Sequence, residues 1–333
     1  MTGSIIFTGA NGSAGTHAAE HLLKTYPQYT AIFTVRNASD EDLNTKNLRQ
    51  VISRYPDSHA SIHEMDLSSL DAVHKFATEI SSTITGGKYP PVKAIVANAF
   101  YWDLVNDSEL TVDKYDKTIQ ISHISHVALI LRLIGSFVPD GGRIVLLSSI
   151  AHFRKKSQMS PYLPDLPANL DELLQPPPDS DKQGRGFQRY ANAKLIATTW
   201  MYPLNRYLSQ NPKFQNITVV ATNPGGLGDS RCFRINTPSS LRFMSRFVFS
   251  PFIPIINRLV DPTFRSSAEA GADMIDLAVS EAHAGERGYF TLLKKDQSDP
   301  LTLDEDVQAK VWKKSAEWAR ITKENSDLGY ALE

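Results

Sequence analysis

Tyr190 and Lys194 stand four residues apart in Tyr190-Ala-Asn-Ala-Lys194, inside a stretch, Tyr190–Gln210, that reads as helix. That spacing sets both side chains on one helix face. A phenol ordinarily titrates near about 10, and an ammonium beside it favours the charged form. A tyrosine so placed can exchange a proton with a carbonyl or alcohol oxygen near neutral pH. Ser149 follows the apolar run Arg143–Ser148, and its hydroxyl can hold that oxygen in place. Ligands of open α/β sheets gather at the carboxyl ends of the strands, which is where a strand ending in Ser148-Ser149 puts a hydroxyl. A Tyr-x-x-x-Lys pair alone is frequent by chance, so its weight comes from the surrounding elements.

The first of these is a phosphate cradle. A strand, Ser4–Thr8, runs into Gly9-Ala10-Asn11-Gly12-Ser13-Ala14-Gly15 and then a helix, Gly15–Lys24. Glycines there allow a tight turn, a close backbone approach to pyrophosphate and close helix–strand packing, while the helix start offers free N–H groups to an anion. The second strand, Ala31–Val35, ends at Arg36-Asn37. A site selective for NAD usually carries a carboxylate there, whereas an arginine accepts the 2′-phosphate of NADP. The plain alternative for Arg36 is a solvated residue at a strand end. Asp66, in Met65-Asp66-Leu67, either meets the adenine edge or caps the helix near Leu70.

Strand-like runs continue at Ser61–Glu64, Ala94–Ala97, Arg143–Ser148 and Ile217–Thr222, with helical patterns at Leu70–Ile84 and Val112–Phe137 between them. Alternation of this kind predicts an α/β fold: a doubly wound, Rossmann-type parallel sheet of about seven strands with helices on both faces. Residues 1–333 read as one domain. Insertions lie near 153–187, with a short helix expected near Ala168–Leu174, and near 226–265, read as irregular.

Taken in order, the glycine loop, Val35-Arg36, Asn98-Ala99, Ser149, Tyr190/Lys194 and Asn223-Pro224-Gly225 resemble the short-chain dehydrogenase/reductase family over nearly the whole chain. The tail, Arg287-Gly-Tyr-Phe290 and Asp304–Trp318, looks like the retinol dehydrogenase and protochlorophyllide reductase-like branch, and fungal biosynthetic members look similar. The resemblance implies Tyr190 as acid/base, Lys194 as the group that lowers its pKa and holds the nicotinamide ribose, and Ser149 as the anchor of the substrate oxygen. It implies cofactor contacts from Gly9, Asn11, Gly12, Ser13, Ala14, Gly15, Arg36, Asp66, Leu67, Asn98, Ala99, Tyr190, Lys194, Pro224, Gly225 and Gly226. The expected activity is NADP(H)-dependent interconversion of a carbonyl and an alcohol on a small apolar molecule. Reduction of a C=C bond and a non-catalytic NADP-binding regulator are the alternatives.

Three residues depart from the family pattern. The second loop glycine is Gly12 where the compact branch has it at the place of Ser13. Ser122 stands where an asparagine normally holds a helix kink and a relay water. Phe100 replaces the glycine that often follows Asn-Ala, which puts a bulky ring at the cofactor pocket.

The bulk properties exclude little and agree with this. With 333 residues, 41% hydrophobic and 21% charged, and a net charge of −1, nothing points to nucleic acid. Cys232 is the single cysteine, so no intramolecular disulfide forms; a reducing, cytoplasmic setting is expected. No signal peptide and no run of 18 apolar residues is read. His123 and His126 stand three apart without a completing ligand, so no metal is expected. His152 lines the pocket or is a plain loop histidine. Phe247–Val260 reads as a lid over the substrate, as a shallow peripheral membrane contact, or as buried core. A monomer and a homodimer are both compatible with the insertion before Tyr190.

Overall fold

The computed structural model describes residues 2–157 and 159–332. Its first half alternates as expected: β1 (Ser4–Thr8), α1 (Ser13–Thr25), β2 (Thr30–Val35), α2 (Leu43–Ser53), β3 (Ala60–Glu64), α3 (Leu70–Thr85) and β4 (Val92–Ala97). A composite helix follows, built of α4 (Lys117–Ile119), a π-helical turn (Gln120–Ile124) and α5 (Ser125–Leu133). Then come β5 (Arg143–Leu147), the long α6 (Lys182–Gln210) and β6 (Thr218–Asn223). The last third holds α7 (Ser239–Met244), a second π turn (Ser245–Phe249), α8 (Ile253–Leu259), α9 (Ser267–Val279), β7 (Gly288–Thr291), β8 (Lys294–Lys295) and α10 (Glu305–Trp318).

The strands form one sheet in the order β3-β2-β1-β4-β5-β6-β7-β8. All neighbours pair in parallel except the two-residue β8, which runs antiparallel to β7. The sheet is thus of the expected kind with one more strand than expected. β1, β2, β5 and β6 are buried along their whole length, which is why they read as unbroken apolar runs rather than alternating ones. One hydrophobic cluster packs α3, α5, α6 and α10 on one face, and a second packs α1 and α9 on the other. Gly271 lets α9 lie against α1: a Cβ there would sit 2.6 Å from the Ala14 carbonyl oxygen.

The order reverses between β1 and β4, so the carboxyl ends of β1, β4, β5 and β6 open on one crevice. The segment Lys117–Ser136 is long and apolar enough to cross a membrane, yet an 18-residue window of it, with mean hydropathy 1.3, is 89% buried inside the protein, as a core helix must be.

Four features differ from the sequence reading. The helix expected over Val112–Phe137 starts at Lys117, because the Asp116 carboxylate accepts the Ile119 N–H at 3.0 Å and fixes the start there. α6 begins eight residues before Tyr190, where Asp181 accepts the Gly184 N–H at 2.8 Å, so Tyr190 sits two turns inside a helix. Residues 226–265, read as irregular, form α7, the second π turn and α8. The expected short helix near Ala168–Leu174 is a 3-10 turn, Leu170–Leu173.

Candidate functional site

At the phosphate end, Gly9 takes φ +67°, a conformation glycine adopts at no cost. A Cβ on Gly15 would lie 2.4 Å from the Gly9 carbonyl oxygen, so the loop closes only with glycine at that position. Gly12 is the N-cap of α1 and lends no side-chain hydrogen bond, which leaves the first N–H groups of the helix uncapped and available to an anion. A dinucleotide diphosphate fits these donors, the N–H groups of Ser13, Ala14 and Gly15 in the first turn.

The loop is fastened on both sides. Asn98 Nδ2 donates to the Thr8 carbonyl at 2.9 Å, and the Thr8 hydroxyl accepts the N–H groups of Asn98 (3.0 Å) and Ala99 (3.1 Å). Asn11 Nδ2 donates to Thr45 Oγ1 at 3.0 Å, and Thr45 in turn donates to the Asn37 carbonyl at 2.7 Å. This chain ties the glycine loop to the strand end that carries Arg36. The Arg36 side chain is exposed, and no hydrogen bond or ion pair holds it among the described residues. Asp66 does not cap the third helix: Ser69 does, and Asp66 instead accepts the N–H and hydroxyl of Ser68 at 2.9 and 2.8 Å. Leu67 is buried, its carbonyl accepting the Ser125 hydroxyl at 2.6 Å.

One residue escaped the sequence reading. Arg231 lies in the long segment after Gly226, yet its N–H donates to Ser13 Oγ at 3.0 Å and its guanidinium donates to the Asn11 carbonyl. It borders a cleft of about 250 Å³ with Gly12, His17, Asn44 and Asn47. No local signal marks it, since the contact spans more than two hundred residues of chain. Beyond Asn223, Gly225 takes φ +85°, and a Cβ there would sit 2.1 Å from the Thr263 carbonyl oxygen. Arg265 secures this bend: its Nε donates to the Pro224 carbonyl at 2.9 Å and its N–H to the Gly226 carbonyl at 2.7 Å.

At the hydride end, Ser149, Tyr190 and Lys194 come together from β5 and α6. Ser149 lies near enough to the Tyr190 phenol to favour its charged form. Its ring is boxed by Trp102, Phe100 and Phe187, with centroids 5.5, 5.7 and 5.9 Å away. Desolvation in this box pushes the phenol up to about 12, against the lowering effect of Ser149. Lys194, the group expected to lower it, does not contribute to this shift. The Lys194 Nζ instead donates to the Leu147 carbonyl at 2.6 Å and lies 5.4 Å from the Phe100 ring centre. Burial without a carboxylate partner drops Lys194 itself to about 7. Phe100, the ring expected at the cofactor pocket, is 40% exposed.

Ser122 sits in the π turn, so the helix kink is present without the asparagine. Its hydroxyl accepts the Tyr101 N–H at 3.3 Å. Beside it a cavity of about 10 Å³ is lined by Ser122, His126, Leu147 and Trp200. That is room for about one water, and the buried Trp200 indole N–H has no protein acceptor. His126 meets Thr8 Oγ1 at 2.9 Å and His123 meets Ser315 Oγ at 2.7 Å, while burial lowers both imidazoles to about 3. His152 does not line the pocket. Its Nδ1 lies 2.7 Å from the Ser149 carbonyl and its Nε2 accepts the Asp299 N–H at 3.0 Å, so a neutral ring clamps the Ser149 turn.

A mostly parallel sheet with an uncapped glycine loop at one end of its crevice and Ser149, Tyr190 and Lys194 at the other is the arrangement of an oxidoreductase. The chain belongs to the short-chain dehydrogenase/reductase family. The family described as short chain dehydrogenase matches residues 4–163, and the AcuH dehydrogenase domain matches residues 231–328; Tyr190 and Lys194 lie between the two. Short-chain dehydrogenase iccH of Talaromyces variabilis is 26% identical over 98% of both chains. Dehydrogenase acuH of Aspergillus aculeatus is 43% identical over 28% of this chain and 95% of its own. Among solved structures, a variant of actinorhodin polyketide ketoreductase with NADPH superposes with TM-score 0.59 at 16% identity, covering 87% of this chain and 95% of that one.

Proposed function

We propose that the protein reduces a carbonyl group on a small, apolar molecule to an alcohol, using NADPH. The observation that carries this reading is the Tyr190 phenol, held against Ser149 inside an aromatic box with its pKa raised to about 12. A phenol with that pKa is protonated at neutral pH and is a donor, the state needed to deliver a proton to a carbonyl oxygen as it becomes an alkoxide. When bound, NADPH supplies the hydride to the carbonyl carbon. Ser149 O–H holds the oxygen, and Lys194, titrating near 7, carries a proton at hand close to neutrality. The apolar walls contributed by Phe100, Trp102 and Phe187 favour an apolar substrate and exclude water.

The NADP preference rests on Arg36, an unpaired cation at the end of β2. The ketoreductase of similar fold holds NADPH, which supports the same choice. Arg231 is a second cation at the loop, its guanidinium donating to the Asn11 carbonyl. Product analysis with NADPH and a matched pair of substrates, a saturated ketone and its enone, tests the reaction type. Alcohol from the ketone is expected. Saturation of the enone with an untouched ketone would assign C=C reduction instead, and NADPH binding without turnover of any carbonyl would leave a regulator.

A further inference from the structure

The stretch from Arg234 to Val260 has a composition unlike the rest of the chain. It carries four arginines, Arg234, Arg242, Arg246 and Arg258, and no carboxylate, in a protein whose net charge is −1. All four are exposed, and among the described residues none of them forms an ion pair. Arg265, just beyond, shows the contrast: it is buried and pairs with Asp273 at 2.7 Å.

The same stretch concentrates exposed apolar side chains. Of the seventeen large hydrophobic residues exposed among the described ones, eight fall between Ile235 and Val260. They include Phe243 at 60%, Phe247 at 53%, Leu259 at 74% and Val260 at 78%. Neither α7 nor α8 buries a single residue, and the π turn between them buries only Ser245. These helices turn their apolar residues outward, the reverse of the pattern that folding into a core requires. A core segment does not leave Leu259 and Val260 in water. Clustered exposed apolar area of this kind marks an interaction surface.

We propose that α7, the second π turn and α8 form a peripheral docking surface for an anionic lipid bilayer. Phe243, Phe247, Phe252, Ile255 and Leu259 enter the headgroup–acyl boundary, and the four arginines meet lipid phosphates and carboxylates. Charge complementarity selects this occupant: a second copy of the chain would bring four more unpaired arginines to the same face, while an anionic surface neutralises them. A basic residue near such a surface contributes about fivefold in binding, so the four supply most of the affinity and the apolar side chains the depth. The surface is continuous with the crevice, because Phe249 packs on Phe233, Phe233 on Trp102, and Trp102 on Tyr190, with centroids 5.5–5.8 Å apart at each step. A bilayer-dissolved molecule of the apolar kind would then reach the site along aromatic rings.

The test is co-sedimentation of the full chain with vesicles of phosphatidylcholine alone and of phosphatidylcholine containing about a quarter phosphatidylserine. Binding at least about tenfold stronger to the anionic vesicles, and released by added salt, is expected. The triple change Arg242→Ala, Arg246→Ala, Arg258→Ala should remove that advantage, and Phe247→Asp with Leu259→Asp should abolish binding to both vesicle types. Unchanged thermal melting checks that the variants fold, as side chains this exposed allow. Failure of the wild-type chain to bind either vesicle overturns the proposal. So does binding that ignores both variants, or a concentration-dependent dimer in solution that Phe247→Asp dissolves, which would give the face to a second copy.

Discussion

The two ends of the crevice are built by opposite means. The phosphate end uses backbone: Gly9 at positive φ, Gly15 pressed on the Gly9 carbonyl, and a helix start that no side chain caps. Of its two arginines, Arg36 is exposed, while Arg231 is half-buried against the loop. The hydride end uses side chains taken out of water, and burial moves each titratable one far from its usual value, Tyr190 to about 12 and Lys194 to about 7. The first end presents backbone donors and an exposed cation that cost little to maintain. The second stores the cost of desolvation in groups whose proton affinity the chemistry needs.

The contrast predicts how each end breaks. Tyr190→Phe removes the proton donor and should lower kcat by about a hundredfold or more while NADPH titrates as in the wild type. Parallel losses in binding and turnover would merge the two ends. Arg36→Ala should raise the NADPH Kd by about tenfold or more and leave NADH nearly unchanged, since one charged hydrogen bond to the 2′-phosphate is lost. Arg231→Ala should weaken both cofactors alike, because it faces the loop they share; an NADPH-selective loss would move it to the 2′-phosphate.

Lys194 gives the pH signature of the buried end. Its folded pKa lies below its unfolded value of 10.5, so below about 7 both states hold the proton and the folded state bears the full cost of a buried charge. Between there and 10.5 the unfolded chain holds a proton that the folded chain lacks, and stability rises with pH. Cys232, pushed by burial from 9.0 to about 11, opposes this above pH 9, which leaves pH 7–9 as the clean window. Lys194→Met should therefore flatten the wild-type rise by up to about 1.4 kcal/mol per pH unit in urea unfolding. Parallel curves would show that the ammonium reaches solvent. The smallest effect is expected of Phe100→Gly, which removes the ring beside Lys194 and should lower the KM for NADPH a few-fold.

The same division explains what the sequence made legible. A loop made of backbone conformations must be spelled in glycine, so Gly9 to Gly15 could be read directly, as could Ser149, Tyr190 and Lys194 by type and spacing. The direction of the Tyr190 shift could not, because it comes from Phe100, Trp102 and Phe187 packing around it from separate stretches of chain. Arg231 was hidden for the same reason, its partners Asn11 and Ser13 lying at the other end of the chain. α7 and α8 were read as irregular because their apolar residues face solvent and leave no buried stripe to detect. Ser122 looked like a missing part, yet the π turn supplies the kink through backbone alone.

The most direct test of the account follows one deuterium. NADPH deuterated at the transferring C4 position, incubated with the enzyme and a ketone it turns over, should leave the label on the carbinol carbon, with the hydroxyl proton drawn from solvent through Tyr190. The Tyr190→Phe protein should bind the same cofactor and transfer almost none. Label on a saturated carbon beside an intact carbonyl, or label transferred by Tyr190→Phe at the wild-type rate, would contradict it.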